Sequence, residues 1–260
     1  MCPGSLLRYN VLAPCLSPAR PEETVVPASP HAPRTFTIPK PGGSARLMAE
    51  LAPPDALAWR RLAAGAGPLI ESRLGPEVLG NRWDVTAARL RPFRPALAAA
   101  RAAARRLVKG SGGSGAVLRT DVSGCYGSIE PEALSTSLAA AGVEPAEART
   151  AARSVEAWTG FGAPGLPVGP EPSALFANAV LTSVDVTLRS AGIRFLRWVD
   201  DYLLAPGLRE PHDALAVLDG ALAGAGLRRN EAKTAPLGPG EIWPGGAYAR
   251  ADGEARTMLA

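Results

Sequence analysis

The stretch RFLRWVDDYLLA (194–205) constrains the fold more than any other part of the chain. Residues 193–199 and 202–205 are apolar and aromatic runs of strand character, and only two aspartates separate them. So short a connection predicts a tight antiparallel hairpin with Asp200 and Asp201 at its tip.

The segments around this hairpin follow a definite order. AVLRTD (116–121) reads as a short strand, and 131–142 as a helix with Pro131 at its start and Gly142 at its end. A second helix is predicted over 145–159 and a longer one over 172–190, where Leu181, Val184 and Leu188 keep helical spacing. After the hairpin come a helix over 211–225, closed by Gly226, and a last strand, LRR (227–229). Strand, helices, strand, strand, helix, strand is the split βαβ order of a ferredoxin-like antiparallel sheet, an α+β fold. Upstream, 54–75 and 93–108 read as helices, and KGSGGSG (109–115) as a flexible loop. Residues 1–34 read as a proline-rich, mobile or extended leader.

With 260 residues, 47% of them hydrophobic, the chain can bury one core or two closely packed lobes. No apolar run approaches the ~20 residues needed to cross a bilayer. The N-terminus MCPGSLLRYN lacks the features of a signal peptide, so a cytoplasmic protein without membrane partners is expected. Cys2, Cys15 and Cys125 show no metal-binding spacing and are read as reduced thiols. The formal charge of +4 is compatible with a polyanionic partner but only weakly diagnostic. Arg101 and Arg105, one turn apart, read first as a solvated basic face and second as phosphate contacts.

The split βαβ order places the first strand beside the hairpin, so Asp121 can meet Asp200 and Asp201. Three crowded carboxylates call for cations, and hard oxygen ligands suit Mg²⁺. Two ions ~4 Å apart could activate a 3′ hydroxyl and stabilise departing pyrophosphate. Side chains alternate along a strand, so the two hairpin aspartates are not equivalent. Asp200 is expected to be the direct partner of Asp121, with Asp201 auxiliary. On the pair alone, ordinary turn chemistry is the better explanation of adjacent aspartates.

The residues also resemble a family. RWVDDYLL (197–204) is similar to the YxDD box of reverse transcriptases, with Trp198 in place of the usual tyrosine. LRTDVSGCYGSI (118–129) resembles the box of their first catalytic aspartate, and Tyr126 stands at the spacing of the steric gate under the incoming sugar. GLPVGPEPSALFANAVLTSVD (165–185) resembles the next box, a turn leading into a helix beside nucleotide and template, which implicates Gly169, Pro170 and Ser173 in substrate binding. Val168 stands where glutamine is common, and the form LPxGPxxS is closer to the bacterial abortive-infection and antiviral-defence branch. GLRRNEAKT (226–234) resembles the box whose lysine, here Lys233, lies near the triphosphate. IPKPGGSARLMAELAPPDALAWRRL (38–62) resembles the fingers segment, with Lys40 and Arg46 as triphosphate-binding cations, and NRW (81–83) matches a shorter box through Arg82.

The resemblance implies an RNA-directed DNA polymerase: fingers over 35–110 and a polymerase palm over 111–260. Its metal ligands would be Asp121, Asp200 and Asp201, binding two Mg²⁺ ions with Mn²⁺ as a substitute. Nucleoside triphosphates and an RNA template or nucleic-acid primer are the implied partners. About 25 residues follow Lys233, too few for a helical thumb, so a partner protein or structured RNA is expected to replace it. A template-independent polymerase, a dinucleotide cyclase and a non-catalytic nucleic-acid-binding module are the competing readings.

Overall fold

The computed structural model describes residues 29–39, 45–113, 116–207 and 210–245. Most of the proline-rich leader lies outside these residues. The described part opens with an antiparallel hairpin, β1 (Arg34–Pro39) and β2 (Ala45–Glu50), followed by helix α1 (Pro53–Arg73). A two-residue ladder, β3 (Trp83–Asp84) with β4 (Arg89–Leu90), precedes α2 (Phe93–Gly110). Strand β5 (Leu118–Asp121) leads through α3 (Cys125–Ser128), α4 (Pro131–Ala141), α5 (Pro145–Gly160) and α6 (Glu171–Ser190) to β6 (Arg194–Trp198) and β7 (Asp201–Ala205). Helix α7 (Pro211–Gly224) and β8 (Ala235–Pro236) complete a mixed α+β structure.

Local chemistry explains the helix boundaries. Helices α1, α4, α5, α6 and α7 carry proline in their first turn, where its missing N–H costs nothing and its fixed φ favours the helix. Helix α4 ends at Gly142, whose φ of 97° permits the left-handed turn.

The main sheet has the order β6-β7-β5-β8 with every neighbouring pair antiparallel. This is the strand order of a split βαβ arrangement. The last strand differs from expectation. Residues 227–229 touch the sheet only through the Val122–Arg229 bridge, and the paired strand is Ala235–Pro236. A 3-10 turn, Glu231–Lys233, is inserted between the two. The hairpin β1–β2, read from the sequence only as a glycine turn with flanking cations, is a further addition.

Two cores sandwich the sheet. On one face Phe195 and Leu204 join α1, α4, α5, α6 and α7, with Trp59 edge-on to Trp158 at 5.0 Å and to Phe176 at 4.5 Å. On the other face Trp198, Leu203 and Ala205 pack beneath Leu97, Ala100 and Ala104 of α2, with Leu237 and Trp243. Val122 N–H donates to the carbonyl of Asp200 at 3.1 Å, so the ladder continues to the tip of the hairpin.

The loop after α5 is pinned by close backbone approach. Leu166 N–H donates to Tyr126 O at 2.8 Å, and a Cβ on Gly165, at φ 62°, would lie 2.3 Å from that same oxygen. Gly165→Ala is therefore expected to lower stability by ~2 kcal/mol or more, read by urea denaturation, since both a left-handed φ and a backbone clash oppose the methyl group.

Candidate functional site

The β5–β7 register sets Asp121 directly opposite Asp201. Opposed residues of an antiparallel pair share a face, so these two side chains project together from the side of the sheet that carries α2. Asp200 occupies the turn before β7. The ladder partner of Asp121 is thus Asp201, while Asp200, in the turn, lies close enough for the charge of Asp121 to act on its carboxyl.

Burial, with like charge added to it, governs the chemistry of the cluster. Burial, with the charges of Asp200 and Asp121, pushes the Asp201 carboxyl up to about 7. Asp200 is also raised, first by burial and then by Asp121, while a backbone hydrogen bond and the cations Arg46 and Lys233 oppose the shift. Lys233 Nζ sits 2.5 Å from Asp121 Oδ2, and this hydrogen bond holds the lysine above its ordinary value. The inserted 3-10 turn is what aims Lys233 at the carboxylate. Asp121 Oδ1 is buried and has no hydrogen-bond partner. Among the described residues no three His, Cys, Asp or Glu side chains are grouped so as to hold a metal ion by themselves.

Behind the turn lies a buried polar network that the sequence reading missed. Val199 has φ 60°, a left-handed conformation that a β-branched residue rarely adopts. The wholly buried Arg197 holds it there: Nη1 donates to Val199 O at 2.8 Å and to Asn178 Oδ1 at 2.7 Å. Its Nε and Nη2 grip Asp185 at 2.6–3.0 Å, and Tyr202 OH donates to Asp185 at 3.2 Å. Burial pushes the guanidinium towards neutrality, and Asp185 more than reverses this. Asn178 in turn donates to the carbonyls of Gly80 and Asn81 at 3.1 and 2.9 Å. The available signal was the seven-residue spacing of Asn178 and Asp185, which sets both on one side of α6.

The other expected residues separate into two groups. Tyr126, on α3, is half-buried, and its hydroxyl accepts from Asn81 Nδ2 at 3.5 Å. Arg46 is exposed on β2, with its charge felt at Asp200. Gly169 is exposed at φ 132°, and a Cβ there would meet Ala49 O at 2.8 Å. Ala49 N–H donates to Val168 O at 2.8 Å, which docks the β1–β2 hairpin on this loop. Pro170 is the half-buried cap residue before α6. Lys40 lies outside the described residues.

One expectation is corrected. Ser173 is wholly buried and its hydroxyl accepts from Trp59 Nε1 at 3.2 Å, so it is a core contact out of a substrate's reach. Arg82, matched by resemblance without a stated role, grips Glu71 at 2.7–3.0 Å and the carbonyls of Gly75 and Val78, so it braces a loop.

Over 81% of its length the chain is similar in fold to a telomerase from Candida albicans in complex with a TWJ fragment of telomeric RNA, with a TM-score of 0.50 and 13% identity, the match covering 43% of the telomerase. An apo telomerase from Candida tropicalis, truncated from its C-terminal domain, gives a TM-score of 0.48 and 15% identity over 81% and 51%. The chain thus spans about half the length of these proteins. No family model matches it, and no curated protein does. The likeness to the Candida albicans telomerase is one of fold. Among the described residues no helix is long and apolar enough to cross a membrane.

Two outcomes follow from the site's electrostatics. Arg197→Met strands a buried Asp185 and is expected to cost ~3–5 kcal/mol by urea denaturation, with most of the loss recovered in Arg197→Met/Asp185→Leu. Asp201 holds its proton more tightly in the folded state, so its contribution is greatest below the ordinary value of 3.8 and is lost as pH rises through about 7. In metal-free buffer the protein should lose stability across that window, and Asp201→Asn should flatten the profile and gain about 1 kcal/mol at higher pH, measured by thermal melts.

Proposed function

We propose that the chain is a nucleotidyltransferase that adds nucleotides to a 3′ hydroxyl, copying RNA into DNA. The carrying observation is the cross-strand pair Asp121–Asp201, with Asp200 beside it and the cations Arg46 and Lys233 close enough to act on its titration. In this reading the four-stranded sheet is a polymerase palm, and β1, β2 and α1 belong to the fingers.

The donor set fits magnesium. Asp121 Oδ1 is a buried acceptor in want of a cation, and Mg²⁺ takes one or two carboxylates and completes its shell with water and substrate phosphates. A cage of three protein ligands is therefore not required. Asp121, Asp200 and Asp201 would hold the ions, Mg²⁺ or Mn²⁺, which supply a more acidic 3′ hydroxyl and charge neutralisation for pyrophosphate.

The chain's own groups do the rest. Lys233 compensates the charge of Asp121, and its exposed ammonium would be placed to hold the triphosphate when Asp121 serves as a metal ligand. Arg46, and Lys40 by resemblance, would hold the same phosphates from the opposite side, as fixed charges stabilise phosphoryl transfer. Tyr126 would floor the sugar site, and its anchor through Asn81 leads back to the Arg197 network. Gly169 and Pro170 would shape the turn beside the nucleotide. The setting in bacterial antiviral defence rests on the GLPVGPEPS resemblance.

A second reading, a nucleic-acid-binding module without turnover, draws on Lys233 closing over Asp121. Incorporation of each labelled dNTP and rNTP on primed RNA, with Mg²⁺ or Mn²⁺, decides between them. Asp121→Asn, Asp200→Asn and Asp201→Asn are each expected to lower incorporation ~100- to 1,000-fold. Undiminished incorporation by Asp200→Asn would sink the metal assignment, and tight RNA binding without any incorporation would establish the second reading.

A further inference from the structure

We propose that α2 is a polynucleotide track, gripping the phosphodiester backbone of the strand whose end lies at the carboxylates. What lies at the end of the track rests on the nucleotidyltransferase reading; the track itself does not.

From Val85 to Thr120 the chain contains no acidic residue. Within this span Arg94, Arg105, Arg106 and Lys109 of α2 are exposed and make no ion pair among the described residues. At 100° per residue, Arg94, Arg105 and Lys109 fall within about 60° of one another, with Arg106 next to them. An ordinary solvated helix face interleaves acids with bases and gains from i,i+4 pairs. Here Arg105 and Lys109 repel at that spacing with no acidic partner among the described residues, whereas a polyanion would offset the cost. The surface between the cations carries the half-exposed Arg101, one turn before Arg105, and Ala98 and Ala102, small enough for a sugar-phosphate chain to lie close.

The helix is also oriented for this role. Its first residue, Phe93, packs on Trp198 at 5.7 Å, beside the acidic turn, while Ser111 just beyond its last residue accepts a hydrogen bond from Arg194 at 3.2 Å, at the far end of β6. The helix therefore runs along the sheet away from the carboxylates, on the face from which Asp121 and Asp201 project. The opposite face is closed by α6 and α7. Arg94 to Lys109 spans about 22 Å at 1.5 Å per residue, a length matching about six phosphates of one strand.

The test is fluorescence anisotropy of the full chain with labelled RNA, DNA and RNA–DNA hybrid oligonucleotides in EDTA, over a salt series. Wild type is expected to bind, and R94Q/R105Q/R106Q/K109Q to bind ~100-fold more weakly at ~100 mM salt, with the log–log salt slope reduced by about 3. R94K/R105K/R106K should stay within about threefold of wild type, because the charge is kept. The three oligonucleotides distinguish single-strand from hybrid grip. No binding by wild type, an unchanged affinity and slope in the glutamine variant, or equal displacement by polyglutamate would overturn the proposal. Divalent ions are absent throughout, so a failed incorporation assay leaves this measurement intact, and the reverse holds as well.

Discussion

Two carboxylates set opposite each other across an antiparallel ladder repel, and the pairing of β5 with β7 fixes Asp121 and Asp201 in that position. The ladder cannot slip to relieve them. A shift of one residue would turn Leu118, Thr120, Tyr202 and Leu204 out of one core and into the other. The remaining freedom is in the surroundings, and they are arranged as compensation. Lys233 is brought in by an inserted turn, Arg46 lies near enough to oppose the shift at Asp200, and Asp201 retains its proton to a higher pH than an ordinary carboxyl. Unbalanced negative charge held by a rigid backbone is the condition under which a divalent cation with its phosphates binds with profit.

The parts legible in the sequence were those set by short-range chemistry. Proline at helix starts, Gly142 at a helix end and the apolar runs around Asp200 gave α4, α5, α6, α7 and the hairpin to within a residue or two. The strand order followed from element order, since connections in such a sheet are strongly restricted. Register was beyond reach: whether Asp200 or Asp201 faces Asp121 depends on one residue of offset, and apolar runs on both strands allow either. Ser173 misled for a different reason. A serine in a loop-to-helix motif looks solvent-facing, and only the three-dimensional fold shows Trp59, over a hundred residues earlier, donating to it. The fourth strand was misplaced because Leu227 is buried and Arg229 bridges to Val122, which gives 227–229 a strand's pattern without a strand's ladder.

Both faces of the main sheet are occupied, but for different distances along it. Helix α6 and its neighbours close one face, whereas α2 covers the other only up to Trp198 and leaves the Asp121–Asp201 end uncovered by its apolar side. Any ligand large enough to touch both carboxylates therefore approaches from the α2 side, past a helix whose exposed charge is wholly positive. The β1–β2 hairpin, docked through Val168 and Ala49, brings the charge of Arg46 to bear on Asp200.

The buried Arg197 shows why a costly interaction persists beneath such a site. Removing a guanidinium and a carboxylate from water is expensive, and a well-packed apolar pair would often be as stable. What an apolar pair could not do is donate to the Val199 carbonyl while fixing Asn178, and through it the backbone of Gly80 and Asn81. A β-branched residue at φ 60° persists only where its surroundings over-determine it. Arg197 converts its own electrostatic constraint into a fixed peptide plane one residue before Asp200, and through Asn81 the same network reaches the Tyr126 hydroxyl. The exposed cations Lys233 and Arg46 are free to exchange partners with a substrate; the buried one, fully committed to acceptors of the protein, can only hold position. That division, mobile charge in front of the carboxylates and immobile charge behind them, is what a site needs if its ligands come and go while its geometry stays.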